Sequence, residues 1–250
     1  MTDSTPYRLA LDARVGESCF PVLVWAEGID APDACSRPTS LDDVLASAKE
    51  GRSPVSSAVQ QEVRAMLRHG TYKPSGRGKP ASEFLLHAAL RGEFPLVNGP
   101  VDTNNAISLS SGLPGSIFDA DLTGPVLFLR YGLPDETYVF NPSGQSIDLE
   151  DLLVVCRAEA GGWEPCGNPV KDSMSTKVRA DTRNVIGVLY APRSLGTVFA
   201  MRWAERFAEQ LGVSCRARAV GFRGPETPPR ASSLCGYSPL EYVKNRFRDS

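Results

Sequence analysis

The run Asn184-Val185-Ile186-Gly187-Val188-Leu189-Tyr190 constrains this chain more than any other stretch. It shows no alternation of apolar and polar residues, and its β-branched side chains favour extended backbone. A strand of this kind must be covered on both faces. Phe20-Pro21-Val22-Leu23-Val24-Trp25 is a second run apolar throughout. The chain therefore folds around a buried sheet, and its 250 residues suffice for one large domain or two small ones.

The remaining pattern is irregular. Residues 7–13 predict a further strand. Ser40-Leu41-Asp42-Asp43 reads as a helix start capped by Ser40, and 56–67 predicts a helix with Val59, Val63, Met66 and Leu67 on one face. Helices follow at 82–90 and near 103–111, the second closed by Gly112. Val126-Leu127-Phe128-Leu129-Arg130 and Glu136-Thr137-Tyr138-Val139-Phe140 predict a hairpin, and 152–156 another strand. A helix is expected over 195–211 with Gly212 as its cap, then a Pro/Ser-rich segment at 225–232 and a short helix near 240–247. Hairpins mixed with helices predict a mixed α/β or α+β fold rather than a doubly wound parallel sheet. The expected organisation is one domain over 1–250: N-terminal strands and helices to 70, a core over 71–192, and a C-terminal helical extension over 193–250.

The net charge of −2 argues against a uniformly basic nucleic-acid binder. Charge is nonetheless uneven: nine acidic against five basic residues over 1–60, and ten basic against five acidic over 193–250. That asymmetry fits a polyanion site near the C-terminal part or, equally, solvated helix faces. The six cysteines form no C-x-x-C pair and have no histidine at ligand spacing, so neither a zinc site nor another metal is expected. No secretory or membrane-spanning run opens the chain, which predicts a cytoplasmic protein with free thiols and no membrane partner. The sequence leaves the oligomeric state open.

No nucleophile elbow, phosphate loop, dinucleotide fingerprint or metalloprotease helix is present. With His69 and His87 the only histidines, a nucleophile–histidine triad has few candidates. The segment 98–121 stands out. It sets Asn98, Asp102, Asn104, Asn105, Ser108 and Asp119 among Gly and Pro residues. Amides and short carboxylates beside turn backbone suit a concave polar site. The alternative is that Asp102 caps the following helix and the asparagines satisfy loop backbone.

Val101-Asp102-Thr103-Asn104-Asn105, Ser108-Leu109, Gly112-Leu113-Pro114, Phe118-Asp119-Ala120-Asp121-Leu122 and Leu122-Thr123-Gly124 occur in that order. Thr176-Lys177-Val178 and Asp181-Thr182-Arg183-Asn184-Val185 follow, and Tyr72-Lys73-Pro74 and Gly78-Lys79-Pro80-Ala81-Ser82-Glu83 precede them. This ordered set, spread over roughly 71–190, resembles the B3/B4 domain of the phenylalanyl-tRNA synthetase β subunit, and its upstream part resembles free-standing members. The departures are specific. Asn104 stands where the family has Thr, Ser116 where its pocket has His, and Asp172-Ser173 where it has Gly-Gly, while a family glutamate falls near Gly187. They bear on specificity rather than fold.

The resemblance implies a mixed α/β fold around a cavity that hydrolyses the ester of a mischarged aminoacyl-tRNA, with no cofactor. An aminoacyl ester is already activated, so positioning water and stabilising an oxyanion can suffice. The catalytic candidates are Asn104, Ser116 and Asp172. The substrate-binding candidates are Asn98, Asp102, Asn105, Asp119, Ser173 and Thr176, although Asp119 also reads as a structural hydrogen-bonding residue. Lys73, Arg77, Lys79, Lys177 and Arg179 are the candidate contacts to tRNA phosphates, or are solvated loop residues. Loss of the pocket histidine also fits a non-catalytic tRNA or amino-acid binding module. A third reading is an enzyme using aminoacyl-tRNA as an acyl donor.

Overall fold

The computed structural model describes residues 6–226. Its elements begin with β1 (Arg8–Leu11), α1 (Val15–Ser18) and β2 (Cys19–Glu27), then the helices α2 (Thr39–Lys49), α3 (Ser57–Leu67), α4 (Ala81–Leu90) and α5 (Gly99–Ser111). Next come β3 (Gly115–Asp119), α6 (Ala120–Thr123), β4 (Val126–Tyr131), β5 (Thr137–Val139), β6 (Ser146–Asp148), β7 (Leu153–Glu159) and β8 (Gly162–Gly167). β9 (Asn184–Pro192), α7 (Thr197–Ser214) and β10 (Ala219–Arg223) complete the series. The fold is mixed α+β.

One sheet has the order β10-β2-β9-β3 and a second the order β1-β4-β7-β8. The two apolar runs of the sequence are neighbours: β2 and β9 pair antiparallel from Cys19–Pro192 to Glu27–Asn184. Helix α7 supplies their cover with Ala200, Ala204, Phe207, Ala208 and Leu211, all buried. Three alanines in that stripe let the helix approach closely. Phe207 then packs over Gly187, where a Cβ would come within 3.0 Å of the ring. Burying one such aromatic side chain contributes about 1.5–3 kcal/mol.

Several expectations give way to other arrangements. β4 does not pair with β5, because its two edges are taken by β1 and β7. Buried Arg130 grips Glu136 at 2.7 and 2.6 Å, and Glu136 also accepts from Leu133 N–H. That closes a loop rather than a hairpin turn, and β5 pairs with β6 instead. Ser40 is not a cap: α2 begins at Thr39, and the Ser40 hydroxyl accepts from Gln210 on α7. Gly212 lies inside α7, which runs on to Ser214. α5 starts at Gly99, four residues before the expected start. Strands β3, β6, β8 and β10 were not expected. The short helix near 240–247 lies outside the described residues, as does most of 225–232.

Candidate functional site

Helix α5 points its first turns at the open edge of β3. Asn98 caps it, accepting from Val101 N–H at 3.2 Å, and Pro100 sits in its first turn. Asp102 accepts from Val97 N–H at 2.8 Å and folds the preceding loop back over the helix. Burial raises the Asp102 carboxyl, against the pull of that hydrogen bond. Val101, Asn104 and Asn105, at spacings of three and four, share the face left open. They line a cavity of about 260 Å³ together with Ile117 of β3 and the loop that carries Asp172 and Lys177.

Asn104 is 5% exposed. Its amide Nδ2 donates to the Gly115 carbonyl at 3.2 Å, while its Oδ1 has no hydrogen-bond partner among the described residues. An unpaired buried acceptor costs about 1–3 kcal/mol, so the position calls for a donor. A Cβ at residue 115 would lie 2.5 Å from Asn104 Oδ1, so any other residue there forces the Asn104 side chain to shift.

Asp172 closes the opposite side of the network. Its Oδ1 accepts from the Ser116 hydroxyl at 2.6 Å, and its Oδ2 from Ile117 N–H, longer at 3.4 Å. Burial pushes the carboxyl up to about 7, opposed by the Ser116 and Ile117 hydrogen bonds, a backbone bond from Asn168 and the charge of Lys177. Ser116 is fully buried behind Asp172 and is also 2.8 Å from the Tyr190 hydroxyl. A serine has one proton to give. If it goes to the carboxylate, Tyr190 donates to Ser116, and the chain runs Tyr190 to Ser116 to Asp172. The sheet register explains the meeting: Ser116 opposes Val188, which makes Tyr190 its diagonal neighbour on the same face.

The loop that carries Asp172 is pinned by Asn168, which accepts from Val170 N–H at 2.7 Å and Lys171 N–H at 2.8 Å and donates to the Tyr138 hydroxyl at 2.5 Å. Tyr138 in turn donates to the Lys171 carbonyl at 2.6 Å. Lys177 is half-buried in the cavity wall, and its ammonium donates to the Phe140 carbonyl at 2.7 Å. Desolvation lowers its pKa, opposed by the charge of Asp172.

The cavity thus brings together Asn104, Asn105, Lys171, Asp172 and Lys177. Ser116 acts on it through Asp172. The other predicted residues are spent elsewhere. Asn98 and Asp102 fix the start of α5. Asp119 accepts from Thr182 at 2.5 Å and from Asp121 N–H at 2.9 Å, tying α6 to the approach of β9. Ser173 accepts from Ser175 N–H, and the Thr176 hydroxyl donates to the Cys166 carbonyl, so both shape the turn before Lys177.

The basic residues do not form one patch. Lys73 lines a depression beside His69, whereas Arg77 lines a groove with Tyr72, Phe140 and Lys171, whose ammonium lies 3.8 Å over the Phe140 ring. Lys79 is half-buried and Arg179 exposed, and neither lines the cavity. His69 stacks on Tyr131 at 3.5 Å and His87 is exposed on α4, so neither histidine serves the cavity.

Asn168 and Tyr190 are the residues sequence reasoning missed. The Asn168-Pro169 pair signals a turn, which was available; Tyr190 is hidden as the last apolar residue of a buried run. Among the described residues no helix is long and apolar enough to cross a membrane, and no three His, Cys, Asp or Glu side chains gather as metal ligands would.

No family model matches the chain, and no curated protein matches it. Among solved structures, the chain is similar to an N-terminal fragment of the phenylalanyl-tRNA synthetase β subunit from Pyrococcus horikoshii, with 11% identity and a TM-score of 0.49. The similarity covers 92% of this chain and 56% of the fragment, so the chain spans little more than half of that fragment's length.

Proposed function

We propose that this chain is a free-standing editing factor that hydrolyses the ester of a mischarged aminoacyl-tRNA. The observation that carries the reading is the meeting of Asn104 and Asp172 on one cavity, a buried acceptor in want of a donor beside a carboxyl that titrates near neutrality. The resemblance of 101–124 and 176–185 to B3/B4 domains supports the substrate class. Val97, Val101 and Val178 offer apolar wall for an amino-acid side chain, and Asn104 Oδ1 accepts from the α-ammonium.

The step balances with water as the only co-reactant. Asp172, as carboxylate, takes a proton from water while the water oxygen bonds to the ester carbon. The tetrahedral intermediate then breaks its bond to the ribose oxygen, which takes the proton back from Asp172. A free amino acid and an uncharged tRNA leave. A base with pKa near the working pH is well matched to this exchange.

One feature favours the second reading, a binding module without catalysis: Ser116 occupies the place of the family's pocket histidine and is buried behind Asp172. A deacylation assay separates the two. Purified protein is mixed with tRNA specific for phenylalanine charged with tyrosine, meta-tyrosine or phenylalanine. Faster ester loss for one species, abolished in Asp172→Asn, supports editing. Ester loss at the spontaneous rate throughout, with salt-dependent tRNA binding intact, leaves the binding module.

A further inference from the structure

In the sequence Lys177 is one of several cations around the closing strand, and the fold sets it apart from them. Arg179, two residues on, is exposed, and Lys73 and Arg77 line other depressions. Lys171 and Lys177 both stand in the wall of the cavity that Asn104 and Asp172 line, but Lys171 rests its ammonium 3.8 Å over the Phe140 ring, whereas the Lys177 headgroup is anchored on the Phe140 carbonyl at 2.7 Å. An ammonium carries three N–H donors. The anchor uses one and fixes the direction of the other two. Burial lowers the amine's pKa, and the charge of Asp172 opposes that and supports the protonated form.

The geometry points to Lys177 as a catalytic residue, a fixed ammonium that holds the ester carbonyl oxygen while negative charge builds on it, and not as a phosphate contact. This inference rests on the editing reading above. The carbonyl oxygen gains an electron pair when the water oxygen bonds to carbon and returns it when the ester C–O bond breaks. Lys177 keeps its protons throughout, and the proton traffic stays with Asp172. A donor fixed in a partly desolvated wall stabilises such an oxyanion far more than one in open water.

The test compares wild type, Lys177→Met and Lys177→Arg in steady-state deacylation, with tRNA affinity measured across salt concentrations. Lys177→Met is expected to lower kcat by about 100-fold or more, with KM and the salt slope of binding unchanged, and Lys177→Arg to recover part of the loss. An unchanged kcat with weaker, less salt-dependent binding overturns the inference, since that is the signature of a phosphate contact. A second measurement needs no turnover. The wild-type protein is labelled with 13C at lysine Cε during expression, the Lys177 signal is assigned with Lys177→Arg, and a stable amide-linked aminoacyl-adenosine is added. Displacement of the Lys177 signal is expected. A bound analogue that leaves Lys177 unmoved overturns this inference alone. An analogue that does not bind, in a protein that hydrolyses no ester, overturns the editing reading and this inference with it.

Discussion

The Ser116 hydroxyl donates to Asp172 Oδ1 across 2.6 Å from a position with no solvent exposure. That bond favours the carboxylate form. Ser116→Ala therefore raises the Asp172 pKa further, and the acid limb of the pH–rate profile moves to higher pH. The variant also strands the Tyr190 hydroxyl, at a cost of about 1–3 kcal/mol. A 13C-carboxyl titration and a urea melt measure the two effects separately.

Asp172 makes stability depend on pH in a definite direction. Its folded pKa of about 7 lies above the ordinary carboxylate value of 3.8, so between those values the native state holds a proton that the unfolded chain has lost. Stability then falls as pH rises through this window. Asp172→Asn removes the ionisation and is expected to be more stable than wild type at pH 8, by on the order of 2–4 kcal/mol, with a smaller difference at pH 4. Urea unfolding of both proteins at the two pH values checks this, and a difference that does not change with pH refutes it.

Gly115 and Asn104 are coupled by contact. Gly115→Ala places a methyl group 2.5 Å from Asn104 Oδ1 and is expected to displace the side chain, destabilise the fold by about 1–3 kcal/mol and abolish ligand binding. In an Asn104→Ala background the same change costs less, because the clashing oxygen is gone. A double-mutant cycle should show a coupling of about 1 kcal/mol.

Asp119 separates structure from chemistry. Asp119→Ala loses the α6 cap and the Thr182 bond, and is expected to cost about 1–3 kcal/mol while kcat per folded molecule stays at the wild-type level. Chemical denaturation alongside active-fraction-corrected kinetics checks this. A kcat that falls tenfold or more in folded protein would place Asp119 in the chemistry after all.

The sequence made the interior legible where hydrophobicity alone decides. β2 and β9 are apolar on both faces, and α3 starts where Ser56 caps it, its hydroxyl accepting from Val59 N–H. It was silent where local chemistry and tertiary context disagree. β8 contains Pro165 between two glycines, which argues against a strand, yet an edge strand tolerates proline. The hairpin expectation failed because a charge pair, Arg130 with Glu136, redirected the loop. In the site, Asn104 stood out among the polar residues of 98–121 and Asp172 entered as a candidate through a motif resemblance, while their placement on one cavity is a matter of tertiary structure. That Lys177 turns inward while Arg179 faces solvent is set by the Ser173–Thr176 turn, and two basic residues two positions apart look alike in one dimension.

β3 is the last strand of its sheet, and on its outer side the Ile117 amide meets a carboxylate instead of a further strand. An exposed strand edge is a template on which a second molecule can pair. Asp172 and its loop occupy that template, with Asn104 of α5 bonded to the Gly115 carbonyl on the same side, so the residue proposed for proton transfer also helps to close a strand edge. A variant chosen to silence the chemistry by shortening Asp172 to alanine would also strip the Ile117 amide of its partner, so part of any loss of activity would be structural and unconnected with the reaction.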